Sequence, residues 1–315
     1  MKSFVLVFIS FFLGFQSTLA CDVCGCASGA DMGSVIPQFQ RNMLGLRYRN
    51  THFVHTGNEV SRVGDALVTD DYLHALDLNF RWFVLPRLQL VASLPWQQHI
   101  RVKDNGQSSS IQGLGDLQFT GQYTWVNTAP SPESPWRHLL LTGLGVRLPN
   151  GPFQQRTAEG LLYPAAFQIG TGAYATNLQL FYSVRYKRLG LVTDLNFRHS
   201  FASELNYQFG QQYFGGFTGF YWFDFGKVSV LPQLNLSIEK MDYDKEFGNR
   251  VPHTGGRQYL AGGGIDAFYQ KWFVSVQLRR PLGWSLPEGM PQPGNRLSFT
   301  LGWFIDSTTK AEGKP

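Results

Sequence analysis

The sequence predicts an all-β fold, a transmembrane antiparallel outer-membrane β-barrel of about 12 strands. Three observations predict it: an export leader, segments of about ten residues in which apolar and polar residues alternate, and connections that alternate between short and long. Aromatic residues make up 15% of the 315 residues and 34 residues are glycine, a composition typical of many strands and turns. The net charge of +5 is spread along the chain, which argues against a nucleic-acid-binding patch.

The first 20 residues have the pattern of a cleavable signal peptide. Lys2 precedes the apolar run Phe4–Phe15, and a stretch of small residues ends at Ala20. The apolar run is too short to span a bilayer as a helix, which needs about 20 residues. We expect residues 21–40 to form a cysteine-containing periplasmic segment that acts as a partial plug, residues 41–306 to form the barrel, and residues 307–315 to form a tail.

The chain contains twelve candidate strands, each long enough to cross a bilayer when tilted. They lie near residues 41–52, 72–84, 87–99, 114–126, 137–148, 176–187, 190–200, 213–224, 227–239, 258–268, 271–280 and 296–305.

Alternation within these segments separates a lipid face from a lumen face, because successive strand residues point to opposite sides. In the segment 74–84, Leu76, Leu78 and Trp82 share one face, and Asp77 and Arg81 share the other. The same alternation predicts a polar lumen with interspersed charges. The predicted lumen-lining residues are Arg47, Arg49, Asp77, Arg81, Asp116, Arg185, Asp194, Arg198 and Arg279.

The connections favour a barrel over a soluble sandwich, whose strands also alternate. Tight turns at residues 85–87, 187–190, 224–227 and 269–271 alternate with long polar segments, as periplasmic turns and outer loops do in outer-membrane barrels. The segment around 126–137 is long where a tight turn is expected, and we interpret it as an extended periplasmic loop. Both chain termini are then predicted to lie in the periplasm.

Tryptophan and proline positions give two further expectations. We expect the tryptophans near strand ends to form interfacial girdles. Pro95 and Pro232 fall inside predicted strands, and we expect each to lie toward a strand end, where a lost ladder hydrogen bond costs least. The girdle tryptophans are Trp82, Trp96, Trp125, Trp222, Trp272 and Trp303.

Four glycine-rich pieces resemble a known family. They are GLGDLQFTGQY from Gly113, GLGVRLPNG from Gly143, FQIGTGAYATNLQLFYSVRY from Phe167, and RLSFTLGWF from Arg296. Together they resemble the transporter-like outer-membrane barrels named after the meta-pathway of phenol degradation, over about the last two thirds of the chain. The resemblance implies a barrel that transports small hydrophobic or aromatic solutes. The chain departs from the family after GTG, where Ser and then Asp are usual and residues 173–176 read AYAT.

All three cysteines, Cys21, Cys24 and Cys26, lie directly after the predicted cleavage site. Their spacing suits a Cu(I) or zinc thiolate site, but His52 and His55 are the nearest histidines that could complete it. A disulfide that leaves one thiol over, or lipidation of Cys21, also fits an exported chain. The metal, disulfide and lipid interpretations therefore stay open.

These observations predict a porin-like outer-membrane channel of a Gram-negative bacterium that passes small hydrophobic or aromatic solutes without a cofactor. Its expected partners are outer-membrane lipid and the solute, with no nucleic acid, and the oligomeric state stays undetermined. The alternative is a barrel that anchors a periplasm-facing segment, which binds copper, zinc or a partner through its cysteines. No nucleophile elbow, zinc-protease helix or phosphate loop predicts an enzyme. His199 and Ser200 are neighbours in a strand, so they point to opposite faces.

Overall fold

The computed structural model describes residues 40–55, 69–128, 131, 134–157, 160–287 and 290–305. The predicted signal peptide, the cysteine segment up to residue 39 and the predicted tail lie outside the described residues.

Twelve antiparallel strands form the wall of a closed barrel, as predicted from the sequence. They are β1 (Asn42–His55), β2 (Thr69–Leu85), β3 (Leu88–Lys103), β4 (Ser108–Leu114 with Gln118–Asn127), β5 (Trp136–Arg147), β6 (Ala175–Tyr186), β7 (Leu189–Ser200), β8 (Gln212–Tyr221), β9 (Val228–Met241), β10 (Gly256–Tyr269), β11 (Trp272–Ser285) and β12 (Gln292–Ile305).

The barrel closes because β1 pairs with β12 as well as with β2. Asn42 lies opposite Ile305 at one end of this ladder, and Val54 lies opposite Gln292 at the other. Closure leaves no free sheet edge, which is what allows a sheet to exist in lipid.

Short turns lie at one end of the barrel, and β1 begins and β12 ends at this same end. Residues 86–87, 187–188 and 270–271 connect β2 to β3, β6 to β7 and β10 to β11. Outer-membrane barrels carry their short turns on the periplasmic side, so we call this the periplasmic end and the other the extracellular end. The connection between β4 and β5 is longer and also lies at the periplasmic end, as expected.

Smaller elements lie in the connections between the barrel strands. Phe223–Asp224 extends the ladder of β9, and Ala165–Phe167 forms one turn of 3-10 helix in the connection between β5 and β6. In the extracellular loops, Tyr207–Gln208, Lys245–Glu246 and Asn249–Arg250 pair into a three-stranded sheet. Among the described residues, no helix is long and apolar enough to cross a membrane.

The outer surface of the wall is apolar and carries an aromatic girdle at the periplasmic end. Trp82, Trp125, Trp272 and Trp303 face outward there and are 41–57% exposed. An apolar exterior with interfacial aromatics is the surface that lipid requires, so the barrel lies in the outer membrane.

Two of the predicted girdle tryptophans lie elsewhere. Trp96 faces outward but sits near mid-height of β3, opposite Leu76. Trp222 follows β8 in the inward-facing alternation of Thr218 and Phe220, so its ring packs inside the barrel.

The expectation that Pro95 lies toward a strand end is wrong. It occupies the middle of β3, where residues 115–117 interrupt β4 and the ladder between the two strands. Pro95 removes one donor from a stretch of wall that is already interrupted, and Gly115 N donates to the Pro95 carbonyl at 2.7 Å. Pro232 is the fifth residue of β9 and stays paired opposite Ile265.

Candidate functional site: the barrel lumen

The nine charged residues predicted for the lumen all lie on the inward face of the wall. Arg47, Asp77, Arg81 and Arg198 are at most 3% exposed. Asp116 and Arg279 are each 7% exposed, and the rest are partly buried. The structure does not bring the nine together into one site; they fall into separate groups at different heights. Among the nine, the partly buried residues are Arg49, Arg185 and Asp194.

The first group surrounds Asp77 at mid-height. Strand register places Arg47 directly opposite Asp77, with Arg49 two residues further along β1. Arg47 Nε donates to Asp77 Oδ2 at 2.9 Å, while Arg49 donates to both Asp77 oxygens at 2.7 and 2.8 Å. One carboxylate thus holds two guanidinium groups, which satisfies its acceptor capacity in a site where a lone buried charge is costly.

A second group lies beside the first and contains two residues that the sequence prediction missed, Arg296 and Glu239. Arg279 and Arg296 are directly opposite each other on β11 and β12. Arg296 donates to both oxygens of Glu239 at 2.7 and 3.1 Å. Alternation with Ser298 and Thr300 could have identified Arg296 as inward-facing, but both Arg296 and Glu239 lie at ends of the predicted strands.

Glycines make room for this second group. Gly262 lies opposite Arg279, and a Cβ on Gly262 would come within 2.8 Å of Arg279 Cγ. A small cavity of about 30 Å³ opens where the two groups meet, and it exceeds the roughly 10–15 Å³ that a water needs. Four arginines contribute to its lining, Arg47, Arg49, Arg279 and Arg296.

Asp116 anchors the connection between β5 and β6 inside the extracellular mouth. Its carboxylate accepts hydrogen bonds from Gly151 N and Thr171 N, both at 3.0 Å, and from Thr171 Oγ1 at 2.5 Å. Arg147 Nε lies 3.8 Å from the same carboxylate. The sequence placed Asp116 on the inward face but could not reveal these partners. The contacts assign Asp116 a structural role in holding the segment 148–174.

The anchored segment fills part of the extracellular mouth with apolar side chains. Phe167 and Ile169 are 2% and 4% exposed and pack with strand residues that include Phe53 and Leu73. His99 Nδ1 donates to the Phe167 carbonyl at 2.9 Å, because a carbonyl can only accept. The Arg101 guanidinium lies 4.8 Å from the centre of the Phe167 ring. The result is an apolar constriction, which we call the extracellular layer.

A second apolar constriction, the periplasmic layer, closes the other end. Its inward-facing side chains come from most strands of the barrel and pack against one another. Arg185, one of the predicted lumen residues, lies with its guanidinium 4.6 Å from the centre of the Trp222 ring at the border of this layer. The members are Met43, Val192, Phe220, Leu231, Phe268, Phe273 and Phe304, flanked by Val91, Phe181 and Trp222.

The polar centre lies between the two layers. A cavity of about 100 Å³ runs from the anchored segment to Arg49, Asp77 and Arg198. Arg198 donates to Gln118 and Gln212 at 3.3 and 3.4 Å. The lumen therefore changes along its length from apolar to polar and back to apolar.

The proposed metal ligands Cys21, Cys24 and Cys26 lie outside the described residues, as does the proposed plug that contains them. Within the part of the chain that the structure describes, no group of three or more His, Cys, Asp or Glu residues could hold a metal ion. His199 packs against Phe201 at the outer side while Ser200 is fully buried, so the two point apart as expected.

Comparisons with known proteins agree with this architecture. The chain matches no protein-family model and no curated protein. Among solved structures, it is similar to the COG4313 outer membrane channel from Pseudomonas putida F1, with a TM-score of 0.64 and 14% identity over 84% of this chain and 96% of that chain. The β domain of the Bordetella autotransporter BrkA matches at a TM-score of 0.46 with 8% identity, over 84% of this chain and all of that one. The similarity to the COG4313 channel supports the fold, a closed outer-membrane β-barrel.

Proposed function

We propose that this protein is a passive outer-membrane channel for small hydrophobic or aromatic solutes. The observation that carries the proposal is the pair of apolar layers at the two ends of the lumen. A water-filled porin has a polar interior along its whole length, whereas an apolar constriction excludes water and ions. A solute with an apolar body replaces water in such layers at little cost.

Two further facts support the proposal. The similar structure from Pseudomonas putida F1 is described as an outer membrane channel. The glycine-rich pieces that resemble the phenol-degradation barrels point to the same class of solute. The cavities between the layers, about 100 and 30 Å³, suit small solutes.

Flux measurements on purified protein test the proposal. Proteoliposomes whose outer leaflet contains lipopolysaccharide, which slows unaided entry of apolar solutes, are mixed rapidly with toluene or with glycerol. We expect the protein to accelerate toluene entry more than glycerol entry. A barrel that only anchors a binding segment gives no solute-dependent flux, and flux of glycerol alone would indicate an ordinary hydrophilic pore.

A further inference from the structure

The charges that face the lumen are not balanced. In the described part of the barrel, ten arginines and Lys103 occupy inward-facing positions against six carboxylates, an excess of five positive charges. The arginines are Arg47, Arg49, Arg81, Arg101, Arg137, Arg147, Arg185, Arg198, Arg279 and Arg296, and the carboxylates are Asp71, Asp77, Asp116, Asp194, Glu239 and Asp266.

Two of these excess charges lie at one place on the wall, where Arg47, Arg49, Arg279 and Arg296 meet Asp77 and Glu239. Arg279 and Arg296 are directly opposite each other, and like charges in that arrangement repel. Arg49 is opposite Ser298, which is two residues from Arg296 on the same inward face. The small cavity of about 30 Å³ lies among these side chains.

We propose that this arginine cluster binds the carboxylate group of a small organic acid, so that the lumen prefers anionic solutes to cationic ones. The proposal rests on the proposed channel function for the identity of the solute's apolar body. Guanidinium groups bind carboxylates with two parallel hydrogen bonds, and pores lined by arginine select anions. In this proposal the carboxylate lies at the cavity among these arginines, while the apolar body of the acid extends toward one of the apolar layers.

Equilibrium dialysis of radiolabelled benzoate against the full-length barrel in lipid nanodiscs tests the proposal without requiring flux. We expect saturable binding to the wild type and at least about tenfold weaker binding to Arg279→Gln, since a hydrogen bond to a charged group contributes at least about that factor. Arg280→Gln is the matched control, because Arg280 is the next residue of β11 and faces outward. It removes the same charge from the other face and is expected to bind benzoate like the wild type.

Three further measurements test the effect of removing a negative charge and the chemical class of the ligand. Glu239→Gln removes a negative charge while it keeps an acceptor for Arg296, so benzoate should bind more tightly. Benzyl alcohol, the neutral counterpart of benzoate, should not distinguish Arg279→Gln from the wild type. Inorganic phosphate should compete with benzoate only weakly.

Several results would overturn the proposal. They are no saturable benzoate binding, equal binding by the wild type and Arg279→Gln, weaker binding by Glu239→Gln, or competition by phosphate as strong as that by unlabelled benzoate. Electrophoretic heat-modifiability of each variant shows whether the barrel has folded. Failure of the channel function is a separate outcome, because it appears as absent flux in the proteoliposome assay while benzoate binding persists.

Discussion

The periplasmic layer depends on a close fit between a phenylalanine on one strand and a glycine on the next. Phe273 lies directly opposite Gly302, and Phe220 lies directly opposite Gly190. A Cβ added to Gly302 would lie 2.1 Å from Phe273 Cζ and 2.2 Å from Cε1. Ordinary contact begins near 3.4 Å, so Gly302→Ala must displace the ring edge by about 1.3 Å, the difference between 3.4 and 2.1 Å.

The ring has little room to make that movement. Phe273 is 1% exposed, and its ring centre lies 5.2 Å from that of Phe304 and 6.0 Å from that of Phe268. Overpacking of this kind costs about 1–3 kcal/mol of unfolding free energy. Phe273→Ala removes the ring itself and should cost about 3–5 kcal/mol. The double variant should be no less stable than Phe273→Ala alone, because the added methyl then occupies the space that the ring has left.

Urea unfolding in lipid vesicles, followed by tryptophan fluorescence, measures these differences. Gly219→Ala is the control, since Gly219 faces outward on β8 and no heavy atom lies within 4 Å of its added Cβ. We expect the control to keep wild-type stability. Wild-type stability of Gly302→Ala, or penalties of Gly302→Ala and Phe273→Ala that simply add, would refute the packing of Phe273 over Gly302.

Three further predictions concern the loops and the cysteines. Asp116→Ala should free the segment 148–174 and speed its cleavage by protease while the barrel stays folded, whereas Thr171→Val, which removes one of three hydrogen bonds, should have a smaller effect. Burial raises the pKa of Asp244, which accepts hydrogen bonds from Tyr207 and Gly210 in the extracellular loops. These loops should therefore be more stable at a pH below that raised pKa and should lose protection in hydrogen exchange as the pH rises through it. Asp244→Asn should abolish this pH dependence. Replacement of Cys21, Cys24 and Cys26 by serine should remove stoichiometric copper or zinc if the cysteines bind metal. It should raise solute flux if they cap a plug. If the wild type carries no metal and the serine variant has unchanged flux, mass spectrometry of the mature N-terminus tests lipidation instead.

The wall of the barrel was predictable because its physics is local. Alternation reports the two faces of each strand, and loop lengths report the two ends of the barrel, so the count of twelve strands and the inward position of Asp77 follow from short windows of sequence. Trp222 shows the limit of this reasoning. Its place near a strand end suggested the girdle, but the alternation that continues from Phe220 points its ring inward.

The contents of the lumen were less predictable because their partners are distant in sequence. Asp116 bonds to Gly151 and Thr171, 35 and 55 residues away, through a connection with no periodic pattern. Glu239 and Arg296 are 57 residues apart and meet across two strands. Only the closed geometry of the barrel brings such residues together, so no short window of sequence contains the information.

The two apolar layers act in series, and this decides how their variants combine. The periplasmic layer is built wholly on the barrel strands and the residue that follows β8, whereas the extracellular layer includes Phe167 and Ile169 from the segment that Asp116 anchors. Resistances in series add, so removal of the smaller one alone can at most double the flux. We therefore expect Phe273→Ala and Asp116→Ala to increase toluene flux together by more than the sum of their separate increases in proteoliposomes. A double variant that gives only that sum would mean that solute bypasses one of the layers.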